Sequence, residues 1–112
     1  MTEEEKQKLK VYRNGFGVQI FPNYKNLHEK YIGNWIMDKK NGIGTYYFSD
    51  NTIYSGNFKD NDFHGFGKCT WSNGSSYEGD WMINKMHGNG VYTSQKGFIL
   101  KGLFVNGLYN FV

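Results

Sequence analysis

Apolar and polar positions alternate with a period of two along most of the chain. In Tyr77-Glu78-Gly79-Asp80-Trp81-Met82, the residues Tyr77, Gly79 and Trp81 fall on one side and Glu78, Asp80 and Met82 on the other. A little farther on, Gly88, Gly90 and Tyr92 alternate with Asn89, Val91 and Thr93. Successive side chains of a strand point to opposite faces, so both segments read as strands and not helices. The two-strand phrase is repeated. Tyr54-Ser55-Gly56-Asn57-Phe58 precedes Gly65-Phe66-Gly67, and Tyr31-Ile32-Gly33-Asn34-Trp35 precedes Gly42-Ile43-Gly44. Leu100-Lys101-Gly102-Leu103-Phe104 starts a further copy. The copies begin at residues 31, 54, 77 and 100, a constant step of 23, which marks a repeat array.

The connections carry turn chemistry. Three residues after each aromatic stands Asp38, Asn61, Asn84 or Gly107, types that tolerate the left-handed backbone of a tight turn. Between repeats lie Ser49-Asp50-Asn51, Ser72-Asn73-Gly74 and Gln95-Lys96-Gly97. This pattern predicts an all-β fold: an elongated, single-layer antiparallel sheet of consecutive hairpins. Residues 1–10 form a charged tail or short helix, with early acidic residues suited to a helix start. The array covers 11–112, with a partial repeat at 11–30, repeats at 31–53, 54–76 and 77–99, and a partial capping repeat at 100–112. Asn14-Gly15-Phe16-Gly17 matches Asn41-Gly42-Ile43-Gly44 at an interval of 27, so four extra residues are expected in Pro22-Asn23-Tyr24-Lys25-Asn26.

Glycine inside a strand weakens it unless another group must approach the backbone. Gly33, Gly56, Gly79 and Gly102, with the pairs Gly42/Gly44, Gly65/Gly67 and Gly88/Gly90, are assigned to the same face as the rings. A neighbouring Tyr or Trp ring lying flat over each gap would gain roughly 1.5–3 kcal/mol by burial, against a glycine cost of roughly 0.5–1 kcal/mol.

Composition narrows the classes. The chain has 112 residues, 19% aromatic, with 15 glycines and one proline, too apolar for a disordered segment and without a collagen period. The net charge of +3 arises from 13 basic and 10 acidic side chains, a bias too small to imply nucleic acid. Its scattered lysines, Lys39 and Lys40 among them, read as solvated charges, and no dense basic run suggests anionic lipid. A single cysteine, Cys69, rules out an internal disulfide, fits a reducing compartment and reads as a buried spacer. An acidic start without an apolar stretch is unlike a secretory signal, and a cytoplasmic protein is expected. His64 and His87 occupy one repeat position where other copies have Asn, the mark of a turn-side hydrogen-bonding site and not of a catalyst. One Cys and three separated His make a poor metal set. Without a glycine fingerprint opening a helix, dinucleotide binding has no support either. No catalytic residue, cofactor or metal is assigned.

Tyr-x-Gly-x-Trp, a turn, then His-Gly-x-Gly at this step resembles the MORN (membrane occupation and recognition nexus) repeat over about residues 11–112. His64-Gly65-Phe66-Gly67 and His87-Gly88-Asn89-Gly90 keep the His-Gly form. Asn14 and Asn41 stand in for His, Phe58 and Phe104 for Trp, and Leu100 for Tyr. The last copy, at Leu108-Tyr109-Asn110-Phe111, lacks its glycines. The resemblance implies a non-enzymatic scaffold tied to cytoskeletal or membrane-associated assemblies, to dimerisation, and to capture of a peptide or helix along the sheet.

Joined to that implication, the aromatic face predicts a partner-binding surface of Tyr31, Trp35, Tyr46, Phe48, Tyr54, Phe58, Trp71, Tyr77, Trp81 and Tyr92. The opposite face is apolar at its N-terminal end (Phe16, Val18, Ile20, Ile32, Ile36, Ile43, Tyr47, Ile53). It is polar in the middle (Asn57, Lys68, Thr70, Ser76, Glu78, Asp80) and apolar again at Ile99, Leu103 and Val105. Leu103, Val105, Leu108 and Phe111 are the candidates for self-association as a homodimer. Attachment to anionic lipid is the weaker alternative.

Overall fold

The computed structural model describes residues 2–4, 12–22 and 28–111. Among these residues nine strands follow one another: β1 (Gly15–Pro22), β2 (His28–Ile36), β3 (Lys39–Tyr47), β4 (Ile53–Lys59), β5 (Asp62–Thr70), β6 (Ser76–Met82), β7 (Lys85–Thr93), β8 (Ile99–Val105) and β9 (Leu108–Tyr109). Each pairs antiparallel with its sequence neighbours in a single open sheet ordered from β1 to β9. The hairpin meander read from the sequence is therefore the fold. Of the charged segment at 1–10, only Thr2, Glu3 and Glu4 are described. The rest of that expectation, and the turn placed after Pro22, lie outside the described residues.

Two kinds of turn alternate. Within each repeat a two-residue turn has both residues at positive φ: Met37/Asp38 (47° and 66°), Asp60/Asn61 (47° and 76°), Ile83/Asn84 (46° and 65°) and Asn106/Gly107 (48° and 88°). Such turns match the twist of the strands they join. The second member of each was legible as a left-handed residue; the first was not, because Met37 and Ile83 are poor residues for that conformation. Each turn is also tied to the preceding repeat. Asn61 N–H donates to the Lys40 carbonyl at 3.0 Å while Asn61 Oδ1 accepts from Lys40 N–H at 2.9 Å. Asn84 does the same with Phe63, at 3.0 and 2.8 Å. Between repeats, Asn51, Gly74 and Gly97 take the left-handed position at the end of three-residue loops. Those loops close through Phe48 to Thr52, Trp71 to Ser75 and Ser94 to Phe98, each at 2.8 Å.

The three glycines of a repeat have three different causes. Gly56 faces Gly67 across β4 and β5, and a Cβ on Gly56 would lie 2.3 Å from the Gly67 Cα. A Cβ on Gly67 would lie 2.2 Å from the Tyr54 hydroxyl, because that ring covers it. Gly65 is needed for its backbone: the register shifts between Gly56 and Phe58, leaving Asn57 opposite an irregular stretch of β5 where Gly65 turns at φ 88°. The expectation of rings over glycine thus holds for Gly44, Gly67 and Gly90, while Gly33, Gly56 and Gly79 face glycine backbone across the hairpin. Paired residue by residue, Gly17, Gly33, Gly44, Gly56, Gly67, Gly79, Gly90 and Gly102 make a glycine line across eight strands.

The core lies on one face of this sheet. Tyr31, Tyr54 and Tyr77 are fully buried, and Trp35, Phe58, Trp81 and Phe104 nearly so. Each tyrosine meets the aromatic of its own repeat edge-on (ring centroids 5.0, 5.1 and 5.2 Å) and that of the next repeat likewise (5.0, 5.5 and 4.9 Å). Phe104 continues the chain of rings to Tyr109 and Phe111. Edge-to-face contact joins a ring's positive rim to its neighbour's negative face.

Two tests address this packing. Gly67→Ala forces its Cβ against the Tyr54 ring and is expected to cost at least about 2 kcal/mol in urea unfolding. Tyr54→Phe, which loses only the hydroxyl, should cost about 1 kcal/mol. A Gly67→Ala protein as stable as wild type would remove the ring-over-glycine account. Conversely, Ile83→Asn relieves a β-branched residue from a left-handed turn and should raise stability by about 0.5–1 kcal/mol, read as a higher urea midpoint.

Candidate functional site

The tyrosine hydroxyls tie the aromatic face to the backbone beneath it. Where the register shifts, one carbonyl per repeat leaves the ladder, and a tyrosine supplies its donor. Tyr31 donates to Asn34 O at 2.9 Å, Tyr54 to Asn57 O at 2.6 Å and Tyr77 to Asp80 O at 2.9 Å. On the other face the same three residues clamp the shifted strand with their side chains. Asn34 Nδ2 donates to Ile43 O and Asn57 Nδ2 to Phe66 O, and Asp80 Oδ2 accepts from Asn89 N–H. Burial pushes the Tyr31 and Tyr77 phenols up to about 12 and raises those of Tyr54 and Tyr46, the last also through Glu29, which accepts its hydroxyl hydrogen bond.

The sequence-derived partner surface divides in two. Tyr31, Trp35, Tyr54, Phe58, Tyr77 and Trp81 are core residues, 0–5% exposed, and give a partner almost no surface. Tyr46, Phe48, Trp71 and Tyr92 are half-buried and form the open layer above them, joined by Phe63, Met86, Phe21, Leu100 and Tyr109. Phe63 and Met86 were missed by sequence reasoning, although a signal existed: positions 40, 63, 86 and 109 form another column at the 23-residue step, holding Lys40, Phe63, Met86 and Tyr109. A cleft of about 380 Å3 opens in this layer, lined by Lys40, Tyr46, Phe48, Phe58, Asn61, Phe63 and Asn84.

Lys40 departs from the reading of lysines as solvated charges. It is half-buried, its Nζ 5.4–5.8 Å from the ring centroids of Tyr46, Tyr31, Trp35 and Phe21. Burial lowers its pKa, and the Arg13 charge adds to this, while Glu29 and Asp62 oppose it. Arg13 itself stacks on Trp35, 4.0 Å from the ring centroid, and pairs with Asp38 at 3.0 Å. Cys69 occupies the column of Tyr46 and Tyr92, nearly fully buried, with burial and then Asp50 pushing its thiol up to about 11. It is a small core spacer.

The His/Asn column behaves as a turn-side acceptor. Asn14 Oδ1 accepts from Met37 N–H at 2.9 Å, Asn41 Oδ1 from Asp60 N–H at 3.1 Å and His87 Nδ1 from Asn106 N–H at 3.4 Å. His64 lies in a small cleft with Lys59, Asp60, Asp62 and Ile83. Among the described residues, no group of three or more His, Cys, Asp or Glu is placed to hold a metal. No described helix is long and apolar enough to cross a membrane.

The opposite face is apolar at both ends, with Phe16, Val18, Ile20, Ile36 and Ile43 exposed at one and Ile99, Leu103, Val105 and Leu108 at the other. Its middle is less polar than expected, since Phe66 is 57% exposed beside its cross-strand partner Asp80. Phe111, also exposed, instead packs edge-on against Tyr109 of the aromatic series.

An open meander of glycine-lined hairpins, each closed by a tyrosine over its register shift, defines a β-hairpin repeat protein. The MORN repeat model matches residues 12–25, 31–53, 54–76 and 77–98, and the chain belongs to the MORN repeat family. MORN repeats are non-enzymatic modules that generally serve protein or membrane interaction. No individual curated protein matches the chain.

The tyrosines generate an alkaline test. A phenol whose folded pKa lies above its unfolded value of about 10 contributes stability that is complete below pH 10 and is lost as pH rises toward the folded value. The melting temperature should therefore fall steeply from about pH 10 toward 12, with phenolate absorbance rising together with loss of the β-sheet signal. Ionisation of all the tyrosines near pH 10 in a protein that stays folded would refute this.

Proposed function

We propose that this protein is a non-enzymatic interaction scaffold whose aromatic face binds a peptide or amphipathic helix of a partner protein. The observation that carries the reading is the layered aromatic face. Its lower layer is a closed core, whereas its upper layer leaves Tyr46, Phe48, Phe63, Trp71, Met86 and Tyr92 half-exposed, the first three lining an open cleft. Half-exposed rings on a rigid floor gain apolar burial on binding with little ordering cost, which suits a groove for an extended or helical segment. On this reading the partner surface consists of the upper rings, and the buried rings act by holding them in place. The setting is a cytoplasmic assembly, cytoskeletal or membrane-associated, in keeping with a lone buried thiol.

A library of short randomised peptides displayed on phage and selected against the purified chain tests this. Phe48→Ala with Trp71→Ala, folded by circular dichroism, should weaken the selected peptides by at least about tenfold. Phe66→Ala with Leu103→Ala, on the opposite face, should leave them unchanged. The reverse pattern would move the interaction to the opposite face.

A further inference from the structure

The upper aromatic column contains one cation. Where the other repeats place Phe63, Met86 and Tyr109, this one places Lys40, at the edge of the 380 Å3 cleft. It is half-buried beside the rings of Tyr46, Tyr31, Trp35 and Phe21. Its ammonium carries three donors, and the structure satisfies one of them, weakly, at 3.4 Å to Asn61 Oδ1. Among the described residues no carboxylate lies within 4.0 Å of it, for the two nearby candidates are engaged elsewhere: Glu29 accepts from the Tyr46 hydroxyl, and Asp62 Oδ1 accepts from Asn84 Nδ2 at 2.8 Å. The rings, at 5.4–5.8 Å, sit near the outer limit of cation–π attraction of about 6 Å. A half-buried charge is costly unless paired. Asn61 and Asn84 line the same cleft and add hydrogen-bonding groups at its wall.

We infer that Lys40 forms a carboxylate subsite of the groove, receiving an aspartate or glutamate side chain of the bound segment while the neighbouring rings take its apolar residues. This rests on the proposed groove and narrows its partner to a segment combining an acidic residue with apolar anchors. One cation matches a monoanion. A phosphate dianion would call for a second positive group, and the nearby Arg13 is already paired with Asp38 at 3.0 Å. The burial that holds Lys40 away from bulk water also strengthens any pair it makes.

The test selects displayed random peptides in parallel on the wild-type chain and on Lys40→Met, a substitution that copies Met86 of the same column and should preserve the fold. Wild type should enrich peptides with Asp or Glu at a fixed distance from an aromatic or aliphatic anchor. A synthetic copy with that residue changed to its amide should bind wild type about tenfold more weakly. On Lys40→Met the acidic and amide copies should bind alike, each about as well as the amide copy binds wild type. Anchored peptides with no acidic position, or an acidic preference retained by Lys40→Met, would overturn the subsite and leave the groove standing. Selection of a free C-terminal carboxylate in place of a side chain would overturn the assignment to aspartate or glutamate. If neither protein enriches any peptide, the groove itself falls, and the subsite with it.

Discussion

The structure depends on one interaction repeated three times: a tyrosine ring laid over the second of two facing glycines, its hydroxyl donating to the carbonyl that the register shift has freed. Each part requires the others. Without glycine at position 67 there is no room for the Tyr54 ring, since a Cβ would lie 2.2 Å from its hydroxyl. Without the hydroxyl, the Asn57 carbonyl would be an unpaired polar group beside a buried ring. Without the shift, the left-handed turn at Gly65 would not be needed. A single-layer sheet has no second layer to bury its face, and this device lets the sheet bury apolar surface against its own backbone.

The same device couples the repeats. Every tyrosine touches the aromatic of its own hairpin and that of the next, so rings from Trp35 to Phe111 form one edge-to-face series. On the turn side, Asn61 and Asn84 stitch each tight turn to the preceding repeat with paired backbone and side-chain hydrogen bonds. Stability in such an array is a sum of unit and nearest-neighbour terms. Both nearest-neighbour contacts are visible here, one apolar along the core and one polar along the turns. Because those contacts hold the frame, columns above the core are free to vary. That is where Lys40 replaces a ring or thioether.

The two faces therefore have different meanings. The aromatic face has a closed floor and an open upper layer, the geometry on which the proposed groove rests. The opposite face carries Asn34, Asn57 and Asp80, whose side chains clamp the shifted strands. Residues that look like a polar surface in the sequence are thus partly structural, and Phe66 interrupts them with an exposed ring. Leu103, Val105 and Leu108 are exposed together at the last strands, with Phe111 exposed beyond them.

The 23-residue step, the hairpin order and the left-handed residues Asp38, Asn61, Asn84 and Gly107 could be read from the chain alone, because each is a local constraint written in residue type. The turn role of the His/Asn column was legible for the same reason, as His and Asn both offer an acceptor able to meet a backbone N–H. The separation of the rings into floor and upper layer was not legible. Alternation says which face a side chain takes, but depth on that face depends on the neighbouring strands. Tyr31 and Tyr46 share a face, yet one is sealed under its own hairpin and the other borders a cleft. Lys40 shows the limit most clearly. As a residue in a line it is one lysine among several, and only the four surrounding rings and the engagement of Glu29 and Asp62 elsewhere make it a half-buried cation with no carboxylate within 4.0 Å among the described residues.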